Sequence, residues 1–167
     1  GFATVQAPGV IGPDVQAAMK DALARIAASG KAPGILATDH DSALRYRDWG
    51  ARMLGVACLS EGVLLRQSEI QAPILVLGYT PAWQARQAVL HDVTATLFDL
   101  DSARAFSRAA GEVGRTATVH VKVDTGMGRL GIPWEQACEH FAAITQSSHL
   151  EVEGLCSHFA CADEPDN

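Results

Sequence analysis

Short apolar runs rich in β-branched residues alternate with stretches of helical periodicity along the chain, and that alternation restricts the fold more than any other feature. GILAT (34–38), MLGVA (53–57), PILVLG (73–78), TATLF (94–98), TVHVKVD (118–124) and a last run from about Leu150 to His158 read as strands. A first helix is expected from Pro13 to Ser29: proline suits the first turn, Val15, Ala18, Met19, Ala22, Leu23 and Ile26 repeat on one face, and Gly30 ends it. Further helices are expected from about Asp41 to Trp49 (closed by Gly50), from Ser60, from Thr80-Pro81, from a cap near Asp101 and from Pro133. Continuous apolar runs such as PILVLG suit strands covered on both faces. Strand and helix in turn predict parallel pairing with right-handed crossovers.

A closed βα barrel of the triosephosphate-isomerase type needs eight strands. The expected fold is therefore α/β with about six mainly parallel strands. It is either a partial, TIM-barrel-derived (βα) wall or a sheet flattened into a Rossmann-like three-layer sandwich. Local units are the same in both. The chain of 167 residues is read as one structural domain, with Phe2–Gln6 as an irregular further strand that covers one sheet edge in antiparallel fashion. Unpaired edges invite a second copy, so a homodimer is expected.

The formal net charge of −6 argues against a nucleic-acid partner, and no Lys/Arg run or long apolar segment points to a membrane. A cytoplasmic location is expected, and the start at Gly1 suggests an excerpt of a longer sequence. Cys58, Cys138, Cys156 and Cys161 form no CxxC pair and read as small buried thiols in a reducing compartment. Cys156, His158 and Cys161 offer three metal-ligand types, but zinc sites use a tighter cysteine spacing, and no metal is expected.

Three linked stretches carry a family resemblance: GARMLGVACLSEGVLLRQSEIQAPILVLGYTP, HVKVDTGMGRLGI and EGLCSHFACADEPDN. Through them residues from about 50 to 167 resemble the N-terminal barrel of alanine racemase, a pyridoxal-phosphate (PLP) family. Residues 1–49 depart from it. That family's first strand carries a VKANAYGHG-type motif whose lysine tethers PLP, whereas this chain reads GKAPGILATDHDSALRYRDWGARMLGVA. With GPDVQAAMKDALARI, this part resembles the closing βα units of class II pyruvate aldolases of the 4-hydroxy-2-oxoheptanedioate type. The two resemblances imply a fusion with its seam between Trp49 and Cys58.

By alternation His120, Lys122 and Asp124 share one face of their strand, while Val119, Val121 and Val123 share the other. The racemase resemblance implies that Lys122 matches a carbamylated lysine that positions an arginine matched by Arg129. That arginine contacts the cofactor and the substrate carboxylate, work suited to a planar fork of donors. His158 matches a histidine beside the cofactor ring, and Tyr79 follows a strand at the end where barrel sites assemble. The competing reading leaves Lys122 and Arg129 solvated or paired with Asp124. GMGRLG also satisfies GxGxxG, with Glu151 or Glu153 as a ribose acid, but the longer DTGMGRLG explains it better as a racemase loop. Its glycines suit a tight turn whose amides face an anion. Asp39, His40 and Asp41 invite an acid–base or metal reading; the simpler one makes Asp41 a helix cap and His40 a loop residue. Trp49, Trp83 and Trp134 are expected to pack on helices.

PLP catalysis needs a covalent lysine, a partner for the ring nitrogen and a phosphate cradle. Of the three lysines, Lys20 lies on a helix, Lys31 precedes its strand, and Lys122 belongs to a different strand from the racemase tether. The racemase strands and second domain that would follow Asn167, and the aldolase metal ligands that would precede the tail, are not in the sequence. The expectation is thus no intact catalytic function and no cofactor. The alternative is residual binding of PLP or an amino-acid carboxylate with weak racemase-like activity.

Overall fold

The computed structural model describes residues 5–7 and 10–161. Strands β1 (Val5–Ala7) and β2 (Val10–Ile11) pair antiparallel with each other, and helix α1 (Pro13–Ala28) follows. Then come β3 (Gly34–Leu36), α2 (His40–Asp48), β4 (Met53–Val56), α3 (Leu59–Gln67), β5 (Ile74–Val76), α4 (Ala85–Leu90) and β6 (Thr94–Leu97). Helix α5 (Leu100–Glu112), β7 (Ala117–Asp124), β8 (Ile132–Pro133), α6 (Ala137–Thr145) and β9 (Leu150–Cys156) complete the described part. Strands β3 to β7 pair parallel in sequential order, with β9 along the body of β7 and β8 against its last two residues.

That order decides between the two architectures left open above. A doubly wound sandwich needs a reversal of strand order, with helices on both faces. Here every crossover steps the same way. Right-handed connections then place α2 to α6 on one face, giving an open section of barrel wall. Register shows the division of residues: Leu54, Ile74, Val56, Val76, Ala95, Leu97, Val119 and Val121 form rows on the convex, helix-covered face. They are buried there with Tyr46, Leu59, Leu65, Phe106 and Ile144 from the helices. Leu36, Gly55, Leu75 and Thr94 form a row on the concave face, and Thr96 and His120 form the next.

Several local expectations need correction. β1 pairs with β2 and not with a main-sheet edge, and Phe2–Thr4 lies outside the described residues. Helix α1 starts at Pro13 and gives way to Gly30 at φ +78°, as expected, but only Leu23 of its apolar face is fully buried. The caps of α2 and α5 are Asp39 and Asp99, each two residues before the acid read from sequence; their carboxylates accept from the amides of Ser42 and Ser102. After Pro81 and Pro133, whose ψ values of 148° and 135° are extended, the chain makes a 3₁₀ turn before each α-helix begins. Trp83 and Trp134 sit in those turns, 77% and 64% exposed, so they do not pack as expected. Trp49 caps the end of α2, half-buried, with its ring 5.4 Å from Tyr46. The cysteines are free, with Cys138 exposed and the other three half-buried, none fully inside.

At the strands' N-terminal end the Arg66 guanidinium ties two loops together. It donates to the carbonyls of Ile70 and Ala72, both at 2.7 Å, and to those of His91 and Asp92. Its half-burial pushes its pKa down, with the Asp92 carboxylate acting against that shift.

Candidate functional site

Strand β7 brings two of the predicted residues onto the concave face by simple alternation: its valines 119 and 121 seal the helix side, so His120 and Lys122 turn inward. Lys122 is 9% exposed, and among the described residues it forms no ion pair. It stands opposite Cys156 on β9. Burial pushes the Cys156 thiol pKa up, while the Lys122 charge pulls it down.

His120 Nε2 lies 3.4 Å from Glu153 Oε2. This contact needs two irregularities in β9. The register with β7 shifts opposite Val119 and His120, leaving Glu153 as an extra residue. The next residue is Gly154, where a Cβ would lie 2.6 Å from His120 Cε1. The sequence offers Glu153 only as a possible ribose acid and does not reveal its partnership with His120. A glycine that interrupts the alternation of a strand such as LEVEGLC is the available signal for such a bulge.

The DTGMGRLG loop turns on Asp124. Its Oδ1 accepts from the Gly126 amide at 2.9 Å and the Gly128 amide at 3.1 Å, and these donors hold its carboxyl below the usual carboxylate range. Gly131, at φ +143°, lies so close to β7 that a Cβ would come within 2.5 Å of the Asp124 nitrogen. The chain then continues as β8 beside Val123 and Asp124. Asp124 is thereby bonded to its own loop and, among the described residues, pairs with neither Lys122 nor Arg129, so of the two alternatives above the pairing with Asp124 is not the one seen. The same bonds turn the Gly126 and Gly128 amides toward Asp124 and so remove two donors from the anion-facing turn expected of this loop.

Arg129 is exposed, and among the described residues it makes no hydrogen bond or ion pair. His158 follows β9 and shares a shallow hollow of about 130 Å³ with Thr125, Ser157 and Phe159. The Thr125 and Ser157 hydroxyls, 2.6 Å apart, join the ends of β7 and β9 there. Tyr79 is exposed beyond β5, its ring 5.6 Å from Phe98. Asp39 is absorbed in capping α2, which holds its carboxyl low, while His40 Nδ1 faces Asp41 at 3.5 Å on the surface. Glu151 is exposed. The structure thus groups His120 with Glu153, Lys122 with Cys156, and His158 with Thr125; Arg129 and Tyr79 stand apart from these contacts.

The family described as "Alanine racemase, N-terminal domain" matches residues 14–167. That match runs through residues 14–49, for which the sequence suggested an aldolase origin, and nothing in the comparisons supports a fusion. An alanine racemase of Geobacter sulfurreducens is 47% identical over 126 residues, covering 75% of this chain and 33% of that protein. The alanine racemase of Clostridium difficile 630, solved in complex with cycloserine, superposes with a TM-score of 0.74 at 33% identity, over 78% of this chain and 38% of that one. A histidine racemase from Leuconostoc mesenteroides superposes with a TM-score of 0.77 at 25% identity, over 91% of this chain and 44% of that one. The chain spans about a third of the length of the racemase it matches in sequence. Among the described residues no helix is long and apolar enough to cross a membrane.

Proposed function

We infer the function from one premise: the chain belongs to the alanine racemase N-terminal domain family. We propose that it is a section of racemase-type barrel that is catalytically silent by itself. It keeps polar groups suited to a carboxylate or phosphate (Lys122, Arg129 and His158, with His120, Asp124 and Tyr79 nearby) but lacks the anchor for PLP. The observation that carries this reading is β3. It holds the front place in the wall, before β4, and its C-terminal end is Leu36, in the concave row beside Gly55 and 51% exposed. A tether at this place needs an amine, and leucine offers none. Lys20 lies on α1, Lys31 precedes β3 at its opposite end, and Lys122 belongs to β7. The residues present therefore do not fit covalently held PLP at the front strand.

We further propose a junction between Trp49 and Cys58, supported by GILATDHDS standing in place of the lysine motif. We also propose self-association through the outer edges of β3 and β9, since among the described residues each offers a parallel strand with one unpaired side. Light scattering over a concentration series should show a dimer that dissociates on dilution; a monomer at every concentration removes this part of the proposal.

A second reading is favoured by the burial of Lys122 without an ion pair among the described residues: residual PLP or carboxylate binding at that amine, with weak racemase-like activity. Titration with PLP, followed by absorbance and by interconversion of alanine enantiomers, separates the two. The silent reading predicts no stoichiometric covalent band and no turnover beyond that of free PLP. A stoichiometric band that vanishes in Lys122→Ala establishes the second reading and overturns the first.

A further inference from the structure

The side of the molecule away from the concave face carries a groove between the turn that opens α4 and the middle of α5. The hollow measures about 300 Å³, with Ala105 and Ala109 among its small lining residues and Trp83, Arg86, Arg108 and Glu112 around them. Trp83 has 77% of its surface exposed, a large apolar area for a residue whose neighbours are charged. Arg86 and Arg108 are both exposed, and among the described residues neither makes a hydrogen bond or an ion pair. Five of the other arginines are engaged, Arg25, Arg47 and Arg104 with nearby aspartates and Arg66 and Arg115 with backbone carbonyls, whereas Arg45, Arg52 and Arg129 are, like these two, without a side-chain partner among the described residues. Two unengaged guanidinium groups beside an exposed indole thus make a cationic, aromatic spot on a chain whose formal charge is −6.

We propose that this groove is a docking surface for an acidic protein segment, whose carboxylates meet Arg86 and Arg108 while an apolar side chain lies against Trp83 and the alanine floor. Tryptophan and arginine are the residue types that dominate binding at such surfaces. Arginine adds a bidentate geometry for carboxylates. Glu112, at the same groove, disfavours a second acidic group near it and so gives the segment a direction. The helical alanines matter because larger side chains would fill the floor.

The test uses the whole chain and a fluorescein-labelled peptide of glutamate, alanine and leucine, with a lysine-for-glutamate counterpart as control. Fluorescence anisotropy should show saturable binding of the acidic peptide that weakens with added salt, and little binding of the basic one. The double variant Arg86→Glu/Arg108→Glu should lose binding by about tenfold or more, and Trp83→Ala by a smaller factor. All three positions are exposed, and circular dichroism checks that the variants keep the fold; Arg86→Gln provides a milder change with the same expected direction. Equal binding of both peptides, no binding of the acidic one, or unchanged affinity in the folded double variant overturns the proposal. So does tighter, arginine-dependent binding of single-stranded DNA or of anionic lipid vesicles, which would assign the spot to phosphate.

Discussion

On the convex face of the sheet Leu54, Val56, Ile74, Val76, Leu97, Val119 and Val121 are sealed beneath helices. On the concave face Leu36 and Leu77 meet solvent within the same wall that holds Thr96, His120 and Lys122. Strand β7 serves both sides, its odd positions packing and its even positions carrying polar groups. The contrast teaches where each kind of information lies. The packing that holds a barrel wall together is one-sided and local to each βα unit, so an open section keeps it. A barrel's inner face depends on strands across the lumen, so in an open section its side chains stand without those neighbours.

The comparison is sharpened most by paired truncations. Leu97→Ala, on the sealed face, should lower unfolding free energy by about 3 kcal/mol, as cavity-forming core changes do. Leu77→Ala, half-exposed on the other face, should cost less than about 1 kcal/mol. Urea denaturation measures both, and similar losses would break the distinction. Next in size is Arg66→Met, which leaves the carbonyls of Ile70, Ala72, His91 and Asp92 without their donor and should cost about 2 kcal/mol in the same assay.

A smaller effect concerns acid. Amide donors hold Asp39 and Asp124 below the ordinary carboxylate range. Their folded values are lower than their unfolded ones, so the unfolded chain binds protons first as pH falls. Their contribution is complete above the unfolded value of about 4 and is lost as pH drops through the folded values. Thermal midpoints should therefore fall more steeply below about pH 4 in the wild type than in Asp39→Asn/Asp124→Asn, and parallel curves would contradict this. The smallest expected difference is chemical. Because burial pushes the Cys156 thiol up, mildly alkaline iodoacetamide should label it more slowly than exposed Cys138, as peptide mass spectrometry can follow.

Much of the wall is readable in the residues, because apolar runs and helix periods are local properties. The inward turn of His120 and Lys122 follows from the β7 valines in the same way. Cap positions were displaced because two acids flank each helix start; the discriminating sign is the serine three places after the first acid, Asp39 to Ser42 and Asp99 to Ser102. The commitment of Asp124 to the amides of its own loop depends on the path through three glycines of positive φ, which a motif match does not specify. Strand order was equally hidden, since both candidate architectures use the same βα units. Exposure of Trp83 follows from the extended ψ of Pro81, which delays the helix by a turn.

The most direct test of the account is borohydride reduction in the presence of PLP, with the modified lysine located by peptide mass spectrometry in the wild type and in Leu36→Lys. The account predicts stoichiometric labelling at position 36 in the variant and only scattered, substoichiometric labelling in the wild type. Stoichiometric labelling of Lys122 in the wild type, or a Leu36→Lys protein that folds but takes no label at that position, would contradict it.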